Sequence, residues 1–491
     1  MGRRGFVIGA GLAGAGLLDA GAAPPVHAAT TTAAGRPHAL RPEDLHGPAL
    51  LLVPEVVLLA TGPATGQAVL VREGVFEEVG PVERLTGRHR ELTPLRLPGT
   101  LLMPGFVDAH HHLTQSFGKA LAYGQPSEIF TTIWEPLEKA LDEDTAHLAA
   151  KLAALESLRG GFTTVADAGT RAPVDVAVLA EATQQVGVRC VLGKVVSDGK
   201  GGERHLERWH GTKLVHPSLA IPVPEDATAA VLKQTADLCA EAGAVFQTHV
   251  NEHLAAVERS LKSVGRRPVA YLHHIKALGP HTLGAHATLL SPTELRYLAD
   301  TGAAVSYNPV ASVWKGNAVA QAAVMDAMGI RFGTGTDSTR GDGFRLVEAA
   351  ETAQRLTTGL ANGDTVCGAG ALWLTHATSL SADALGLGRV TGEVAAGKAA
   401  DFLLVDLRLP ELTPSYDLSW ELVRMADRDQ ITAVFVDGRL RLWHGWPTDW
   451  DGPALVRRAA EVGPQVVRKA RLRRVNPHAD RAGRPVARAR T

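Results

Sequence analysis

From residue 101 to residue 337 the chain repeats one pattern: an apolar, β-favouring run, a loop, then a helix-length stretch. The strand candidates fall at 101–112, 163–167, 189–192, 214–219, 244–249, 282–286, 303–307 and 331–337. Strands separated by helices pair in parallel through right-handed crossovers, and eight such units close on themselves. The expected fold class is therefore α/β, a (β/α)8 TIM-type barrel. Ahead of it, residues 49–100 carry short β-rich runs punctuated by Gly62-Pro63, Gly66, Gly74 and Gly80-Pro81. Those runs predict a small β domain. At 491 residues the chain is long enough for both.

The chemistry sits at the ends of the strand candidates, where barrels of this kind keep their active sites. The first run, Leu101-Leu102-Met103-Pro104-Gly105-Phe106-Val107-Asp108-Ala109, ends in His110-His111-His112. Side chains alternate along a strand, so His110 and His112 point one way and His111 the other. His249 ends the fifth candidate, with Glu252 three residues on; His286 ends the sixth and Asp337 the last. The cysteines Cys190, Cys239 and Cys367 lie far apart, form no CxxC pair and are odd in number. They predict neither a zinc knot nor a disulfide framework, so metal ligands must come from His, Asp or Glu. His110, His112, His249 and Asp337 make a three-nitrogen, one-carboxylate set for one divalent metal, Zn²⁺, with Fe²⁺ as second candidate.

Pro104-Gly105-Phe106-Val107-Asp108-Ala109-His110-His111-His112 resembles the first-strand motif of the amidohydrolase superfamily. The resemblance runs from about residue 50 to 440 and is to the mononuclear deaminase and chlorohydrolase branch. His249 and Glu252 match its His-x-x-Glu, Ala285-His286-Ala287 its sixth-strand motif, and Gly333-Thr334-Gly335-Thr336-Asp337 its metal aspartate. The stretch from Gly392 to Asp406 is similar to the family's return to a β-sandwich domain, and Val434 to Arg439 to its last hairpin. The resemblance implies a sandwich built from both chain ends. It also implies metal-assisted hydrolysis of a C–N bond, in the first instance deamination of a nitrogen heterocycle. Asp337 would bind the metal and take a proton from the attacking water, Glu252 would shuttle a proton, and His286 would orient the nucleophile or polarise the substrate. Gln115 is similar to a ring-binding glutamine of the first loop. The family's seventh-strand loop often reads Ser-His-Cys-Pro or Ser-His-Asn-Pro. Here Ser306-Tyr307-Asn308-Pro309 stands there, and Tyr307 and Asn308 are expected to touch substrate. Lys194 is read as structural or substrate-facing. Alternatives within enzymes are hydrolysis of a cyclic or acyl amide, or removal of a ring halide or alkylamine. Outside enzymes, the alternative is an exported metal-binding protein with an inactive site.

The ends of the chain read differently. Arg3-Arg4-Gly5-Phe6, a short apolar run and Val26-His27-Ala28-Ala29 predict a twin-arginine export signal over 1–29. The rival is a cytoplasmic protein whose Gly9-x-Gly11-x-x-Gly14 binds a dinucleotide, but no second strand with an acidic end follows. Residues 30–48 read as a linker, 49–100 and 391–447 as the two parts of the β domain, and 101–390 as the barrel. Residues 448–491 read as a basic, solvated extension. Net charge is -1, and no aromatic residues interleave the tail's arginines. We therefore expect a small-molecule substrate, no nucleic-acid partner, no membrane span and a homo-oligomer.

Overall fold

The computed structural model describes residues 40–125 and 129–474. The expected export signal over 1–29 lies outside the described residues. Eight strands form a parallel sheet in sequence order: Phe106–His111, Phe162–Asp167, Arg189–Val195, Val215–Ala220, Val245–Val250, Thr282–His286, Ala304–Tyr307 and Phe332–Thr334. The last strand's end returns to the first: His111 bridges Asp337, and the Asp337 N–H donates to the His110 carbonyl at 2.8 Å. This is the expected barrel. Its interior holds a layer made by Val107, Ala166, Val191, Val245, Leu283 and Ala304. Ala382, Ala384, Leu385 and Leu387 close it from below.

The same alternation sorts the later residues where a strand is regular; an irregularity between Asp108 and His111 resets it for His110 and His112, and a left-handed φ of 73° resets it at His286. Lys194 has the parity of Cys190 and Leu192, which pack outward among the helices, and not that of Val191. It faces away from the barrel interior. Helices cover the outside, and their ends follow capping chemistry. Asp142 accepts from the Thr145 N–H at 3.0 Å to start Glu143–Arg159, and Ser291 with Glu294 forms a capping box at Pro292–Thr301.

The β domain is one continuous nine-stranded sheet. Its N-terminal strands include Ala49–Leu59, Gln67–Arg72, Val75–Pro81 and Leu95–Pro104; its C-terminal ones include Phe402–Asp406, Ile431–Val436 and Arg439–Trp443. The two chain ends meet where Leu95–Pro104 pairs with Phe402–Asp406. Leu52, Val69, Phe76, Phe402 and Phe435 share one core. The boundary with the barrel falls at Gly105, not at 101, because Leu101 to Pro104 pair in this sheet. A Cβ at Gly105 would lie 2.2 Å from the Thr163 side chain, so only glycine lets the chain pass from one sheet to the next.

Two other segments depart from the sequence reading. Within the expected linker, Leu45 is buried in the core of the β domain. The basic extension contains a helix, Gly452–Ala470, packed on Glu143–Arg159 through buried Leu455, Val462 and Val466. Its charges mask an apolar stripe at helical spacing. No helix among the described residues is long and apolar enough to cross a membrane.

Candidate active site

Three rings converge at the C-terminal rim. The first strand delivers His110 and His112, whose ring centroids are 4.9 Å apart, and the fifth delivers His249, 4.8 Å from His110. One nitrogen from each lies within 4.8 Å of the others. Asp337 Oδ1 joins them, 3.5 Å from His112 Nε2 and 3.9 Å from His110 Nε2. His110 Nε2 is buried with no hydrogen-bond partner, which suits a nitrogen kept for a ligand. His249 Nδ1 lies 2.7 Å from the Pro222 carbonyl, so it carries the hydrogen and leaves Nε2 as a lone pair towards the cluster. These four side chains fit a Zn²⁺-type ion: borderline nitrogen donors with one hard oxygen. Burial holds His110 and His112 well below the usual histidine range, and burial, then His286, pushes His249 down to about 4. All three are neutral near pH 7, as ligands must be.

The backbone is strained where the site is built. Asn251, His286, Ala287 and Asp337 take φ of 51°, 73°, 51° and 57°, the left-handed region. Each costs on the order of 1–3 kcal/mol and persists only where surroundings over-determine it. Around Asn251 they do: its amide donates to Leu289 O at 3.1 Å and Glu294 Oε1 at 2.9 Å, and Thr288 Oγ1 donates to its carbonyl at 2.8 Å. These bonds turn the chain so that Glu252 faces back over the metal cluster.

Glu252 and His286 meet there, Oε1 3.8 Å from Nε2. A residue that sequence reasoning missed completes the group. Lys315, at the end of the short helix Pro309–Lys315, donates to Glu252 Oε1 at 2.9 Å and to Asp337 Oδ2 at 2.7 Å. Burial opposes the charge on all three. The Lys315 ammonium and His286 nevertheless hold both carboxylates below their ordinary range, and the carboxylates raise Lys315. The only signal in the sequence was a lone cation in the apolar run Val310-Ala311-Ser312-Val313-Trp314. Asn317 adds a weak donor to Glu252 Oε1 at 3.4 Å.

The three expected substrate contacts are placed otherwise. Tyr307 points out of the barrel, opposite in parity to Ala304, beside Phe332 and Trp373; its hydroxyl donates to Ala350 O at 3.2 Å and accepts from Gln354. It is a packing residue. Asn308 points inward but is 1% exposed, engaged with Ser306 and His286. Gln115 is 2% exposed; its amide donates to Glu138 Oε1 at 3.0 Å and accepts from the Ser338 hydroxyl. Both amides are occupied by the protein itself.

Residues 101–441 match the amidohydrolase family. The chain belongs to that family. It is a hydrolase acting on C–N bonds. Among similar proteins is a 5-methylthioadenosine/S-adenosylhomocysteine deaminase of Nitratidesulfovibrio vulgaris, 30% identical, with 82% of this chain and 93% of that protein aligned. The protein of that name from Syntrophobacter fumaroxidans is 29% identical over 76% of this chain and 87% of its own length. Among solved structures, an adenosine deaminase from Xanthomonas campestris with bound zinc superposes with TM-score 0.77 at 25% identity, covering 85% of this amidohydrolase and 98% of the neighbour. The zinc-complexed atrazine chlorohydrolase of Arthrobacter aurescens shares the fold, with TM-score 0.72 at 19% identity over 84% of this chain and all of that one, 100%.

Proposed function

We propose that this amidohydrolase deaminates an aminopurine ring carried by an adenosine-type nucleoside, using one Zn²⁺. The observation that carries the reading is the approach of Glu252 and His286 beside the three histidines and Asp337. The names of the similar proteins support the purine. His110, His112, His249 and Asp337 would hold the metal, which supplies Lewis acidity that brings a water's pKa towards neutrality. Asp337 takes a proton from the attacking water. Glu252, ionised at rest, relays that proton to the ring nitrogen as the C–O bond forms, and then carries the remaining proton of the added hydroxyl to the amino group as the C–N bond breaks and ammonia leaves. His286 donates a hydrogen bond to the oxygen that adds to the ring.

The test is ammonia release together with metal analysis, across adenosine, 5-methylthioadenosine, S-adenosylhomocysteine, cytosine, guanine and a chlorotriazine. Turnover of the three adenosyl compounds above the rest is expected. Chloride release from the triazine with no ammonia from any purine would overturn the reading, and iron in place of zinc would overturn the metal assignment.

We also propose export through Arg3-Arg4 and a homo-oligomeric assembly. Changing Arg3-Arg4 to Lys-Lys should retain the protein in the cytoplasm, and the exported form should begin near Ala29 or Thr30. An exported chain still starting at Gly2 would end that proposal. Light scattering of the purified protein at the monomer mass, 51.8 kDa, would end the second.

A further inference from the structure

Five side chains stand in one line, Lys315, Glu252, His286, Asn308 and Ser306, hydrogen-bonded at every step but one: Glu252 and His286 face each other without a hydrogen bond. Lys315 Nζ meets Glu252 Oε1 at 2.9 Å, and that oxygen faces His286 Nε2 at 3.8 Å. On the other side of the ring, His286 Nδ1 lies 3.3 Å from Asn308 Nδ2, and Asn308 Oδ1 accepts from Ser306 Oγ at 2.8 Å. Ser306 and Asn308 are brought to the ring by strand parity, both being inward like Ala304.

We infer that Asn308 is a positioning residue that sets the tautomer of His286. A carboxylate presents only acceptors, so the Glu252 oxygen facing the ring favours the hydrogen on Nε2 over a lone pair there. His286 Nε2 then faces an acceptor and carries the hydrogen. Its Nδ1 is the lone pair, and the Asn308 NH2 meets it, leaving Oδ1 for the Ser306 hydroxyl. The opposite arrangement would set the Nε2 lone pair against Glu252 Oε1. His249 shows the contrast. Its Nδ1 faces a carbonyl oxygen, a pure acceptor, so its Nε2 is free to bind a metal. Two imidazoles 5.4 Å apart are thus divided into a ligand and a hydrogen-bond donor by the group behind each. This deepens the role given to His286 above and rests on it for the catalytic consequence, though not for the tautomer.

The experiment is long-range ¹⁵N–¹H correlation NMR on the full chain, zinc-loaded and labelled at histidine, with His286 assigned from its loss in His286→Gln. The Nε2–H tautomer is expected. Asn308→Asp presents only acceptors and should convert the ring to Nδ1–H or to imidazolium. kcat should fall about 10²-fold, the effect of losing one donor to a developing oxyanion. KM and zinc content should be unchanged. Ser306→Ala, a milder change, should weaken the Nε2–H signature in the same direction if Asn308→Asp fails to fold. Nδ1–H in the wild type, or a ring unmoved by both substitutions, overturns the inference. The Nε2–H tautomer in a protein that deaminates no purine leaves it intact and fails the proposed function instead.

Discussion

The β domain and the barrel rim are stabilised in opposite ways. In the β domain, Phe402 stacks on Phe435 with centroids 4.3 Å apart, and Phe76 lies 5.7 Å from Phe402. Its core is apolar, and a buried phenylalanine tolerates no substitute without a cavity. At the rim, by contrast, the buried residues are histidines, carboxylates and a lysine, and several backbone angles are left-handed. Such a cluster stores cost: desolvated charge, orphaned nitrogens and strain. The rim can carry it because the apolar regions elsewhere offset it. Stability and function are therefore separable in this molecule, and each substitution below tests that separation.

The largest effect is expected at the rim. His249→Ala should remove metal and activity together, while the circular dichroism spectrum stays that of the folded protein. Full metal occupancy with retained activity would break the comparison at its strongest point. Next is Glu252→Gln, which keeps the shape but cannot carry a proton. Turnover should drop by roughly 10²–10⁴, with metal content near normal. Loss of the metal would instead make Glu252 a ligand.

Phe435→Ala should do the reverse, lowering stability by about 3–5 kcal/mol while the folded fraction keeps its kcat/KM and metal. A changed KM at full folding would show that the β domain shapes the site. A sharper probe is the joint between the regions. Arg189, on the third barrel strand, holds Asp401 with Nε to Oδ2 at 2.9 Å, and Asp401 also accepts from the Asp437 N–H at 2.7 Å. Arg189→Met leaves that carboxylate buried without its cation and should cost about 3–5 kcal/mol in denaturant unfolding, again at constant metal content. A difference under about 1 kcal/mol would mean that the joint does not depend on the ion pair.

The smallest effect is in pH. Burial pushes both His205 and His216, away from the metal cluster, down to about 4. Unfolded, each titrates near the ordinary value of 6.5. Below that value the unfolded chain takes up protons that the folded one refuses. Their contribution is therefore complete above pH 6.5 and is lost as pH falls towards 4. Thermal melts of zinc-loaded protein at pH 7 and pH 5 should show the loss, and a His205→Gln, His216→Gln variant should show less of it. An unchanged slope in that variant would refute the assignment.

The sequence by itself determined the period of the chain, and with it the parallel barrel, because alternation and helix-length spacing are local properties. It also determined which rings converge. His110 and His112 are placed by strand parity, and His249 and Asp337 by standing at the ends of their own strands. What it could not decide is anything that depends on a residue's partner across the fold. Tyr307 and Asn308 are adjacent in sequence, yet one packs outside against Trp373 and the other reaches His286, since successive side chains leave opposite faces of a strand. Lys315 has no motif. It becomes part of the site because the helix after the seventh strand lays it between Glu252 and Asp337, carboxylates 63 and 22 residues away. The basic tail read as solvated because charge dominates its composition, while its packing follows from the apolar stripe of Leu455, Val462 and Val466 against a helix formed three hundred residues earlier. Periodicity is written into neighbouring residues; the pairing of charges and hydrogen-bond donors with their acceptors exists only once distant strands have closed the barrel.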